Sequence, residues 1–115
     1  MGKDFLELER DHVARSRALH KDGGAPMEAF RGLVKAAGED GALSHKQKEL
    51  IALAIGVAIR CEGCIVFHTR ACLKLGVTRA ELLEMIGVAV EMGGGPSSIY
   101  GAEALACYDQ MAAAA

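Results

Sequence analysis

Apolar residues recur along this chain at helical spacing, and nowhere do they alternate as in a strand buried on one face. Phe5, Leu8, Val13 and Leu19 fall among charged residues from about Asp4 to His20, and Lys21-Asp22-Gly23-Gly24 ends this first helix. A second helix starts near Pro26, carries Met27, Phe30, Leu33 and Val34 on one side, and breaks between Gly38 and Gly41. Ser44, with Gln47 three residues later, forms a capping box that opens a third helix running through Leu50-Ile51-Ala52-Leu53-Ala54-Ile55 toward Arg60. That helix is apolar nearly all round, which suits the middle of a bundle or a subunit interface. Cys61 to Leu75 ends at Gly76, and Thr78 with Glu81 makes a second capping box for a helix reaching about Met92. Gly93-Gly94-Gly95 closes it. Pro96 opens a last helix with Ile99, Leu105 and Met111 expected to face inward, and the alanines from Ala112 are expected to fray. The pattern predicts an all-α bundle of five or six helices, read as a single domain over residues 1–115 because neither a repeat nor a linker divides it.

Composition adds an expectation about assembly. With 51% hydrophobic residues in a chain of 115, a lone domain of this size would leave much apolar surface wet, so a homo-oligomer is expected. Thirteen basic residues against 15 acidic ones, scattered along the chain, leave no phosphate-binding stripe and argue against nucleic acid. The longest uncharged apolar run, Leu50 to Ile59, is about half of the roughly 20 residues that span a bilayer, and the N-terminus carries acidic residues where a signal peptide would be apolar. A cytoplasmic protein without a membrane partner is expected. In a reducing compartment, a close cysteine pair is more often catalytic or metal-binding than structural.

The chemistry concentrates between Glu49 and His68. Cys61 and Cys64 lie three apart at the first turn of a helix, so they share one face, and the free N–H groups and positive dipole there favour a thiolate. His68 follows Cys64 by four residues, one turn along that face, where an imidazole can take the thiol proton. Cys64 is therefore the nucleophile candidate and Cys61 its resolving partner, a pair suited to reducing a peroxide or shuttling disulfides. Glu49 can approach His68 only if the chain folds back between Arg60 and Gly63, where the glycine permits a break. The unequal arms then predict a bridging water or a tilted crossing rather than a direct contact.

The spacing E-x11-C-x2-C-x3-H, the segment Cys72-Leu73-Lys74-Leu75-Gly76-Val77-Thr78 and the later Gly-Gly-Gly-Pro resemble the alkylhydroperoxidase AhpD-like, carboxymuconolactone decarboxylase superfamily from about Ser44 to Tyr108. The resemblance implies an AhpD-like helical bundle with the CxxC at the N-terminus of a central helix, assembled as a trimer or a hexamer. It implies that Cys64 reacts with a hydroperoxide or a partner disulfide, that Cys61 resolves it, that Glu49 and His68 form a proton relay, and that an external thiol or dithiol restores the pair. No cofactor and no metal are called for. The best-known peroxidase members carry a histidine directly before the second cysteine, where this chain has Gly63. The decarboxylase members generally lack the cysteine pair.

The same residues allow other readings. Cys61, Cys64, His68 and Cys72 follow one stripe as zinc ligands might, but Cys61 and Cys72 would stand about 16 Å apart along an intact helix. Cys72 and Cys107 read as core residues, and the five methionines as packing. His12, His20 and His45 read as solvated, with His45 the one that could line a site, and Glu62 as pointing to solvent. Glu49 on an apolar helix must be paired, protonated or in a wet pocket. Two alternatives stay open: a lyase acting on a lactone or small carboxylate through Glu49 and His68, and a non-enzymatic helical oligomer.

Overall fold

A computed structural model describes residues 2–115 and contains six helices: α1 (Phe5–Asp22), α2 (Gly24–Gly38), α3 (His45–Ala58), α4 (Glu62–Lys74), α5 (Arg79–Gly93) and α6 (Gly95–Ala114). Side chains set most of the helix starts. Asp4 accepts the N–H groups of Leu6 and Glu7, and both expected capping boxes form, Ser44 with Gln47 and Thr78 with Glu81. α4 ends where Gly76 takes a positive φ of 80°, and the turn between α5 and α6 rests on Gly94 at φ 69°.

Helices α3 to α6 enclose the core. Leu53 and Val57 of α3, Ile65 and Val66 of α4, Leu82 of α5 and Met111 of α6 are all fully or almost fully buried. α1 lies across α4 and α6, anchored by Phe5 in the core and by the paired contact of Arg70 with Glu9 at 2.7 and 2.8 Å. α2 touches only α1 and α3 and buries no residue.

Three local expectations are corrected. Ile99 is 65% exposed, because α6 packs through Ser97, Gly101, Ala104, Cys107, Tyr108 and Met111, and Ile99 falls outside that stripe. The alanines do not fray before the end: α6 continues to Ala114, as the high helix propensity of alanine favours. The reversal between α3 and α4 falls at Ile59–Arg60, where the expected Arg60–Gly63 stretch begins, but the glycine does not make it: Gly63 lies within α4, and Arg60 holds a φ of 60°.

Candidate functional site

α3 and α4 form an antiparallel hairpin, and their crossing depends on Gly56. A Cβ built there would stand 3.0 Å from the Cβ of Cys64, so the missing side chain lets the cysteine helix lie directly on α3. Cys61 is the N-cap of α4, its Sγ 3.2 Å from the Cys64 N–H that it accepts, and the two cysteines are joined as a disulfide. The pair thus stands at the N-terminal end of a helix packed in the middle of the bundle. Opening this disulfide leaves thiols beside unpaired helix N–H groups, an arrangement that favours the anion.

His68 and Glu49 meet directly. Nδ1 of His68 lies 2.6 Å from Oε2 of Glu49, which corrects the expected bridging water. The reversal leaves the arms unequal by about three residues, roughly 4.5 Å of helix rise, which the reach of a glutamate and a histidine covers. A hydrogen bond to the carboxylate assigns the proton to Nδ1 and leaves Nε2 as the lone-pair nitrogen. His45 also joins the site, its Nε2 3.2 Å from Oε1 of Glu49, so one carboxylate holds two imidazoles. The Glu49 side chain is only 16% exposed and escapes the cost of lone burial through these partners.

All four residues singled out by spacing, Glu49, Cys61, Cys64 and His68, therefore belong to one hairpin. Two more histidines join them. His45, read as solvated but the one that could line a site, stands four residues before Glu49 on the same helix, the spacing that brings it there. His12 gave no such signal, because it comes from α1: its Nε2 is 3.1 Å from Oε1 of Glu62, its Nδ1 accepts from Arg15 at 3.2 Å, and its ring lies 3.5 Å from where a Cβ on Gly63 would be. The space over Gly63 is thus filled by an imidazole from another helix. Glu62 does not simply face solvent either; Lys3 and His12 hold its carboxyl below the usual carboxylate range, and Lys3 is raised in turn by Glu103 and Glu62.

Cys72 and Cys107 lie fully buried in the core, and burial pushes both thiols up to about 12. Among the described residues no three His, Cys, Asp or Glu side chains converge as metal ligands would, and no helix is long and apolar enough to cross a membrane.

Comparison with known proteins agrees with this architecture. Residues 25–106 match the family model of the carboxymuconolactone decarboxylase family. A carboxymuconolactone decarboxylase family protein from Legionella pneumophila superposes with a TM-score of 0.89 at 46% identity, covering 92% of this chain and 95% of its own. A family member from Thermotoga maritima, whose suggested involvement is in the antioxidative response, superposes with a TM-score of 0.80 at 25% identity over 96% of this chain and 92% of its own. An uncharacterized protein of Cupriavidus necator is 44% identical over 82% of this chain and 83% of its own length.

Proposed function

Because the chain belongs to the carboxymuconolactone decarboxylase family, whose fold here carries a joined cysteine pair, we propose that it is a thiol-dependent antioxidant oxidoreductase of the AhpD-like type, reducing a hydroperoxide or a partner's disulfide. The observation that carries this reading is the disulfide between Cys61 and Cys64 on the helix that also holds His68, with the Glu49 carboxylate directly on that histidine.

In the reduced protein, Nε2 of His68 takes the Cys64 proton. The sulfur attacks the outer oxygen of a hydroperoxide, the O–O bond breaks, and the released alkoxide takes a proton to leave as an alcohol. Cys64 is now a sulfenic acid, and Cys61 attacks its sulfur, expelling water and forming the disulfide. One hydroperoxide and two thiols thus yield one alcohol, one water and one disulfide, which an external thiol or dithiol must reopen. Glu49 orients the imidazole and stabilises its cationic form, with His45 on its second oxygen.

A free-thiol count on the reduced protein before and after one equivalent of hydroperoxide tests this, with peptide mass mapping of any disulfide. Loss of two thiols mapped to Cys61 and Cys64 is expected. Cys64→Ser should abolish turnover, and Cys61→Ser should let the sulfenic acid accumulate. Four thiols still free after peroxide, with activity toward a lactone that survives thiol alkylation, would replace this reading with lyase chemistry at Glu49 and His68. We also propose a cytoplasmic protein assembled as a trimer or hexamer, the assembly supported by the exposed Leu33 and Val34 of α2 and Ile51 and Ile55 of α3.

A further inference from the structure

The α1–α2 elbow holds features that the cysteine chemistry does not use. Its turn is tight: a side chain on Gly23 would overlap Met27, and Gly24 sits at a φ of 68°. Two grooves flank the elbow and adjoin at Ser16 and His20, which line both, as the two parts of one depression. One, of about 500 Å3, is faced by Leu19, Met27, Phe30 and Phe67 and ends at His12. The other, of about 410 Å3, gathers Arg17, Lys21 and Arg31 around His20.

The charge balance along this depression is one-sided. No acidic side chain lines either groove, and among the described residues Arg17, Lys21 and Arg31 form no ion pair, whereas Lys3, Lys46, Arg70 and Arg79 each do. Nδ1 of His20 is buried without a hydrogen-bond partner while its ring stacks on Phe30. Two walls of the apolar groove border the redox turn, since the His12 ring lies over Gly63 and Phe67 follows Cys64 by one turn of α4. From His12 to His20 along α1 is about 12 Å at 1.5 Å per residue.

We propose that this depression binds an amphipathic organic anion, with its apolar body on Leu19, Met27, Phe30 and Phe67 and its carboxylate among Arg17, Lys21, Arg31 and His20. Through it the protein selects carboxylate-bearing organic hydroperoxides over uncharged ones. The selectivity, though not the binding, rests on the peroxide chemistry proposed above. Arginine forks match a carboxylate, and an apolar wall ending in unpaired cations fits a ligand with those two parts.

Calorimetric titration of the oxidised protein with decanoate and with the uncharged decanamide tests the binding without any turnover. Decanoate is expected to bind about tenfold or more tightly than the amide, and the surface double variant R17Q/R31Q should lose that preference while keeping its melting temperature. In turnover, the same variant should raise KM for a carboxylated alkyl hydroperoxide about tenfold, with kcat and the kinetics of cumene hydroperoxide unchanged. Equal affinity for decanoate and decanamide overturns the proposal. So does no binding of decanoate together with dissociation of an oligomer in Phe30→Ser, which would assign the groove to a second copy. Absence of turnover with every hydroperoxide would sink the redox reading alone, and the titration would still decide the anion site.

Discussion

At the scale of single residues, the site is built by giving one charge two tasks or one partner two charges. Glu62 lies between the cysteines in sequence, where an unshared carboxylate would oppose a thiolate, but Lys3 and His12 both draw on it. Removing the negative charge with Glu62→Gln should therefore make the Cys64 thiol easier to ionise, and removing the positive one with Lys3→Met should make it harder, both effects modest because these groups are partly solvated. Thiolate absorbance followed against pH reads both shifts; movement in the same direction would contradict the electrostatic account. Cys72 and Cys107 give the opposite case, since burial keeps them protonated. Titration of the reduced native protein with a thiol reagent at neutral pH should find two reactive thiols, rising to four on denaturation. Cys61, Cys64 and His68 were legible because a helix repeat converts their spacing into proximity, and Glu49 because a carboxylate on an apolar helix needs a partner. The direct Glu49–His68 contact and the arrival of His12 were not, since both depend on where two helices cross, which no local spacing records.

Among the helices, the determining contact is the crossing of α3 and α4 at Gly56. Gly56→Val would drive its branched atoms against Cys64 and the start of α4, costing about 2 kcal/mol and displacing the cysteine turn from His68. A lower melting temperature with slower formation of the disulfide is expected; unchanged values of both would show that the close approach is unimportant. α1 is fixed to α4 by a different device, the two-bond contact of Arg70 with Glu9, and that arginine holds the Glu9 carboxyl below its usual range. A depressed carboxylate adds stability that is present above its unfolded value, about 4.3, and is lost as pH falls through the folded value. Unfolding midpoints should therefore decline on acidification below about pH 5, and Glu9→Gln should remove about 1 kcal/mol at neutral pH and flatten that decline. Helix boundaries were readable wherever a polar cap fixed them, as at Ser44 and Thr78. The reversal at Arg60 lay within the expected stretch, but the residue that makes it was not the one expected, because glycine marks where a chain can turn, whereas here Arg60 accepts the positive φ.

For the whole molecule, the inside of the bundle and its outside obey different rules. α3 presents Leu53 and Val57 to the core, yet Ile51, Ile55 and Ile59 are 48, 54 and 63% exposed; α2 leaves Phe30, Leu33 and Val34 similarly bare. Periodicity identified the apolar face of α2 and the all-round apolarity of α3, but it could not distinguish a face covered by the same chain from one awaiting another. Leaving such surface in water forgoes roughly 25 cal/mol for every Å2 that association would cover. We propose that a second copy covers the bare isoleucines of α3 with Leu33 and Val34 of α2, leaving Phe30 to the groove beside α1. Ile55→Glu places a charge on that bare face without touching the core, so it should keep the helical content and lower the mass measured by light scattering to that of a monomer. If the wild-type protein is itself monomeric at micromolar concentration, the assembly proposal fails. If only the variant is monomeric, comparing its rate of disulfide formation with that of the wild type shows whether the cysteine hairpin needs the assembly or works alone.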